Sequence, residues 1–352
     1  MGRNPDRNPN KTFTKILPLE YERLSICEVS MEKHRTHRPV GGPDPEAAEP
    51  AHPAAGGVLF HADDYGITLA QARAILALSD ACGGHGALGS ASAFANSPAF
   101  EEAAALAAPH VKSGALLMGL HLNLVEGAPC ADTSDVPLLV NERGMFCHDF
   151  LGLARLTNGS QRAQARAQIE RECVAQIERF LEAFPAQAHA LRLDSHQHTH
   201  AIPAVFDTLL AAVRSCGCTL SHLRTPVEPL EPHLARRRAA PPVNIAKNTL
   251  LALLWRMNRG KLPSECATSL FCGVVLSGCM ERVDEALVAA FRSLATQRGQ
   301  AVEFLFHPVS VPRAQCLDPE NAPFAAACAA PGRDAEARAL QRFPPISQRA
   351  EP

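Results

Sequence analysis

From Gly57 onward, apolar runs of strand length alternate with longer stretches whose apolar positions recur at helical spacing. That alternation predicts βα units around a mainly parallel sheet. GVLFHA (57–62) reads as the first strand, ALGSASAF (87–94) as the second and ALLMGLHLNL (115–124) as the third. ALRLDS (190–195), SHLRTP (221–226), SLFCGVVL (269–276) and VEFLFHP (302–308) follow. Helical patterns fill 69–82, 98–108, 162–184, 204–216 and 281–296, with Ser97 a cap and Pro98 the first position of the second. Residues 126–160 read as a long irregular loop, and 227–268 as a segment that shapes a pocket. The economical architecture is a single (β/α) barrel-like domain with mainly parallel strands over 57–345. An open doubly wound sheet is the rival.

Residues 1–56 follow neither period. RNPDRNPNK and PVGGPDPEAAEPAHPAAGG are dense in Pro, Gly, Ala and charge. Such a segment buries too little apolar area to offset its ordering entropy, so a disordered N-terminal extension is expected. A short helix around residues 16–26 is the exception, and Met31 is a second candidate start. Formal net charge is -2, from 34 Lys and Arg against 36 Asp and Glu, so nothing favours a nucleic-acid partner. The 12 cysteines show no CxxC or zinc-finger spacing. Without a signal-peptide pattern, they read as reduced residues of a cytoplasmic protein. No stretch is apolar for long enough to make a membrane span.

Chemistry gathers where strands finish. HADDYG closes the first, GLHLNLVEG the third, LDSHQHTH the fourth and FLFHP the last. In parallel βα folds the loops at these carboxyl ends converge, so ligands and catalysis collect there. Asp63 and Asp64 would repel each other unless a cation or proton intervened, although a helix cap would account for one of them. The split assignment makes Asp64 a metal ligand and Asp63 a base toward water. Asp194, His196, His198 and His200 alternate, so an extended chain would place them on one face. A lone His121 on an apolar strand would default to the core, but Asp64 and His196 at equivalent ends favour a ligand. Asp64, His121 and His196 would leave coordination positions open, as a catalytic centre requires. His307 is assigned as general acid and Arg224 as an orienting group for Asp63 or substrate. The donor set suits one divalent ion, magnesium or zinc among the candidates.

Taken in order, ADDYG, GLHLNL, LDSHQHTH and the late His-Pro resemble the YdjC-like family, which includes chitooligosaccharide deacetylases. GRDAEARAL is similar to that family's C-terminal helix. The resemblance covers 57–342 and implies a barrel-like fold and metal-dependent removal of acetyl from an N-acetylated sugar. It also implies ligands Asp64, His121 and His196, base Asp63 and acid His307, and it admits a homodimer. Two departures stand out: His61 replaces a frequent Asn before ADD, and Val309 follows His-Pro where Gly is usual. Hydrolysis of another amide or a phosphate ester, and sugar binding without catalysis, are the alternatives. No P-loop or Lys-rich strand end supports the phosphate reading.

Overall fold

The computed structural model describes residues 52–235 and 240–344. The expectations for residues 1–51 lie outside that range. The strands are β1 (Val58–Tyr65), β2 (Leu88–Ala93), β3 (Leu117–Leu122), β4 (Leu191–Ser195), β5 (Leu220–Leu223), β6 (Leu270–Cys272) and β7 (Val302–Phe306). They form one wholly parallel sheet in the order β5-β4-β3-β2-β1-β7-β6. The sheet curls into a half-barrel, and an isolated parallel bridge joins His222 of β5 to Ala267, which precedes β6. There the Ala267 N–H donates to Ser221 O at 2.8 Å. Strands β2, β3, β4, β6 and β7 are buried along their whole length, as a parallel sheet covered on both faces demands.

The connecting helices are α1 (Leu69–Leu76), α2 (Phe100–Lys112), α3 (Phe150–Leu156), α4 (Arg162–Ala183) and α5 (Pro203–Ser215). Later come α6 (Glu231–Ala235), α7 (Pro242–Asn258), α8 (Glu285–Arg298), α9 (Ala322–Cys328) and α10 (Gly332–Arg342). Helix α1 starts at a Thr68 cap whose side chain accepts from the Gln71 N–H. It stops at Leu76, short of the expected 82, because Gly83 and Gly86 at positive φ turn the chain back through a Ser79–Ala87 bridge. Helix α2 begins at Phe100 rather than Pro98; Ser97 Oγ instead donates to Gly66 O and accepts from the Ala99 N–H. Helix α3 lies within the loop expected to be irregular, capped by Asp149. Helix α7 has Val243, Leu250, Leu253 and Met257 on its exposed side, which blurred its period in the sequence.

The main core runs between the sheet and its helices and includes Ile75, Leu88, Phe100, Phe180, Phe206, Phe291 and Phe304. A second cluster, with Ile67, Phe94, Val311, Leu317 and Phe324, lies at the carboxyl ends of the strands. The placed chain begins before Gly57: His52 stacks on His222 at 4.6 Å and hydrogen-bonds with Ser269 Oγ at 2.9 Å. Beyond β6, Glu228 clamps the backbone. Its Oε2 accepts from the N–H groups of Gly273, Val274 and Val275 at 3.0, 2.8 and 2.7 Å, and Oε1 hydrogen-bonds with His233 at 2.6 Å. Only glycine fits at 273, since a Cβ there would lie 2.7 Å from that of Leu305.

Candidate active site

The end of β1 delivers two successive carboxylates into one cavity. In a regular strand Asp63 and Asp64 would face opposite sides. Asp64 instead has φ 61°, and pairing with β2 shifts register between Ala62 and Tyr65. A non-glycine residue in this region costs on the order of 1–3 kcal/mol and needs support. Gln71 provides it, donating to Asp64 O at 2.8 Å and accepting from the Gly66 and Ile67 N–H groups at 3.1 Å.

Asp64, His121 and His196 meet as the sequence predicts. His121 Nε2 lies 3.4 Å and His196 Nδ1 3.3 Å from Asp64 Oδ1, with 3.4 Å between the two nitrogens. All three side chains are buried, and among the described residues Asp64 Oδ1 has no hydrogen-bond partner. Metal–ligand bonds of about 2.1 Å in tetrahedral array place ligand atoms roughly 3.4 Å apart, so this triangle fits a divalent cation. The other Asp64 oxygen accepts from Arg333 Nη2 at 2.5 Å. Burial pushes the Asp64 carboxyl up, but Arg333 foremost, then His121 and His196, hold it well below the usual range. Burial likewise lowers His121, yet Asp63 and Asp194 carry it up to about 10; Asp194 accepts from Nδ1 and fixes the ring. Burial leaves His196 below its ordinary value, hence neutral.

Asp63 belongs to a different network. Arg224, fully buried, donates Nη1 to Oδ2 at 2.9 Å and Nη2 to Oδ1 at 2.8 Å. The same guanidinium reaches Asp194 Oδ2 at 2.9 Å and donates Nε to Glu303 at 2.5 Å. Ser92 Oγ donates to Asp63 Oδ1 at 3.2 Å, and His61 Nε2 lies 3.1 Å from that oxygen. His61 also hydrogen-bonds with Ser90 Oγ at 2.7 Å, so the departure at 61 adds a neighbour to Asp63 without crowding the Asp64, His121 and His196 triangle. Burial would raise Asp63, but Arg224, then His121 and His61, keep it well below the carboxylate range.

His307, from the end of β7, is 30% exposed and places Nε2 3.9 Å from Asp63 Oδ2. Burial pushes it down to about 4, so its resting ring is neutral. Helix α10 braces this corner. The His307 N–H donates to Glu336 at 2.6 Å, and the Ser310 N–H and Oγ donate to Asp334 at 2.9 Å. Val309, where glycine is usual, has φ 69°.

The histidine row of 194–200 is not extended. After Ser195 the chain enters a 3₁₀ turn in which Gln197 and His198 have φ 52° and 57°, so the histidines diverge. His196 joins the triangle. His200 hydrogen-bonds with Ser195 Oγ at 2.6 Å and Arg224 O at 3.0 Å, a satisfied core residue. His198 stands against Phe271. All of this opens on a cavity of about 440 Å³ bordered by Asp63, Asp64, His196, His307, Phe324 and Arg333. Glu126 also lines it at 3% exposure, accepting from Asn321 Nδ2 at 2.7 Å, and burial, then Asp318 and Asp64, push it up to about 8. Sequence patterning alone singled out neither Glu126 nor Arg333.

The sequence matches the YdjC-like protein family over residues 57–342. It is 29% identical over 256 residues to a carbohydrate deacetylase of Geobacillus stearothermophilus, covering 69% of this chain and 92% of that protein. It is 32% identical over 149 residues to a chitooligosaccharide deacetylase of an Enterobacter species, covering 42% and 52%. In fold it is similar to the crystal structure of an Enterococcus faecalis protein described as acting in cellobiose-phosphate cleavage. That likeness has TM-score 0.50 and 20% identity, covering 81% of this chain and 90% of the other. With ADDYG, GLHLNL, LDSHQHTH and the late His-Pro all at the carboxyl ends of the strands of one half-barrel, and the match running nearly the length of the placed chain, this protein belongs to the YdjC-like family.

Proposed function

We propose that this chain is a metal-dependent carbohydrate deacetylase that hydrolyses the acetamide of an N-acetylated sugar to acetate and a free amine. The observation that carries it is the pairing of two unlike carboxylates: Asp64, with an orphaned oxygen facing two histidines, and Asp63, clamped by Arg224 beside His307. The names of the relatives, carbohydrate and chitooligosaccharide deacetylases, support a sugar substrate. A divalent ion held by Asp64, His121 and His196 would supply Lewis acidity toward water and the acetamide oxygen.

The chain's own residues do the rest. Arg224 fixes the Asp63 carboxylate so that it faces the attacking water and takes its proton. Such a tightly paired carboxylate holds a proton poorly, and the neutral His307 3.9 Å away is its natural recipient. His307 then gives that proton to the departing amine, so the proton taken from water is the one delivered. Arg333 steadies Asp64, and Glu336 holds the His307 backbone.

Acetate release from N-acetylglucosamine oligomers, with and without chelator, tests the reading. Release that chelator abolishes and added metal restores is expected. Release indifferent to chelator would remove the metal, and no release from any N-acetylated sugar would remove the activity.

A further inference from the structure

The Gln197–His198 turn has no part in the chemistry above, yet it carries backbone strain. Two consecutive non-glycine residues lie in the left-handed region, at φ 52°, ψ 19° and φ 57°, ψ 33°. Strain of this kind persists where surrounding contacts enforce it, and it concentrates at ligand-binding sites. Here the enforcement comes from both flanks. Thr199 Oγ1 donates to His196 O at 3.2 Å, and the His200 N–H donates to Ser195 Oγ at 2.9 Å. Between the two anchored flanks, Gln197 and His198 follow His196 onto the cavity wall.

His198 is 6% exposed, and among the described residues neither ring nitrogen has a hydrogen-bond partner. Nδ1 is wholly enclosed, so Nε2 is the nitrogen open to a ligand. A buried imidazole without partners is costly, and a ligand group supplies what the protein does not. Its ring is fixed edge-on to Phe271, with centroids 5.7 Å apart at 87°. Gln197 lines the same wall and its amide donates to Glu126 Oε1 at 3.5 Å. Lys247 lines it too and makes no ion pair among the described residues. An imidazole, an amide and an ammonium on one wall match sugar hydroxyls, which both donate and accept.

We propose that His198 hydrogen-bonds a hydroxyl of the sugar that carries the scissile acetamide, making the Gln197–His198 turn a recognition subsite separate from the metal triangle and from the Asp63–His307 pair. The proposal rests on the deacetylase reading. Its position explains the strain: the turn lets one short segment supply a metal ligand at 196 and a substrate contact at 198.

The test compares His198→Phe, His198→Ala and His198→Asn in metal-loaded full-length protein. Acetate release gives KM and kcat for the N-acetylglucosamine dimer and trimer, and calorimetry gives binding of the same sugars. Phe keeps the ring on Phe271 without a nitrogen; Asn tolerates the left-handed backbone and keeps an amide. Phe and Ala should each raise KM on the order of tenfold with kcat changed about twofold or less, and Asn should recover most of the loss. A Phe variant with wild-type KM would reduce His198 to ring packing and overturn the proposal. Should Phe not fold, equal KM values for Ala and Asn would overturn it. Wild-type binding of the sugars without acetate release, weakened by the Phe and Ala variants, would uphold the subsite and sink only the deacetylase reading. No wild-type binding would sink both.

Discussion

Replacing Arg224 by Met tests whether the site is organised around this one guanidinium. The side chain is fully buried and satisfies Asp63 twice, Asp194 once and Glu303 once, at 2.5–2.9 Å. Removing one partner of a buried ion pair costs about 3–5 kcal/mol, because charge is left without compensation. Three carboxylates lose this cation, while the raised His121 still faces Asp63 and Asp194, so a total near the middle of that range is expected. At about 2–4 °C per kcal/mol for a domain of this size, calorimetry should record a Tm about 10 °C lower at pH 7. The pH dependence sharpens the test. Asp63 and Asp194 are depressed in the folded wild type, so their contribution is present above the unfolded value of about 4 and lost as pH falls through the folded values. Without Arg224 burial dominates, the folded carboxyls take up protons sooner, and the gap to wild type narrows from pH 7 to 4.5. Arg224→Lys keeps the charge but not the fork, so Tm should recover about halfway while acetate release stays low, since Asp63 is no longer aimed. A Tm loss under about 3 °C, or a gap constant with pH, would refute the reasoning.

Three further outcomes are expected. With His121 carried up to about 10 and His196 and Asp64 already deprotonated, metal uptake displaces one proton, so affinity should be about 100-fold weaker at pH 6 than at pH 8; a competition titration independent of pH would contradict the ligand set. Asp63→Asn should retain metal by elemental analysis and lose at least about 100-fold in kcat, whereas loss of metal in that variant would exchange the roles of the two acids. Glu228→Ala strands three buried N–H groups and should cost about 4 kcal/mol or more in denaturant melts, with Glu228→Gln losing roughly half as much; a neutral Ala variant would show that the clamp is dispensable.

How much of this was legible follows from what periodicity encodes. Parallel strands buried on both faces read as short apolar runs, so β1, β2, β3, β4 and β7, and with them Asp63, Asp64, His121 and His307 at their ends, could be placed from the chain alone. Period says nothing about where a strand stops being regular. The alternation through 194–200 predicted a shared histidine face, whereas left-handed dihedrals at 197 and 198 send each ring elsewhere. Long-range partners were hidden as well: Arg333 grips Asp64 across 269 positions, and only the resemblance of GRDAEARAL drew attention to its helix. Val309 joins both lessons. The family's usual glycine marks a position that needs positive φ, and the valine adopts it at 69°, a conformation that costs a β-branched residue on the order of 1–3 kcal/mol. What holds it there is α10: the Val309 N–H donates to Arg333 O at 3.2 Å, and Asp334 takes both donors of Ser310. The helix that grips Asp64 through Arg333 and His307 through Glu336 therefore also confines the strain at 309, which is why the departure from glycine leaves His307 on the cavity wall beside Asp63.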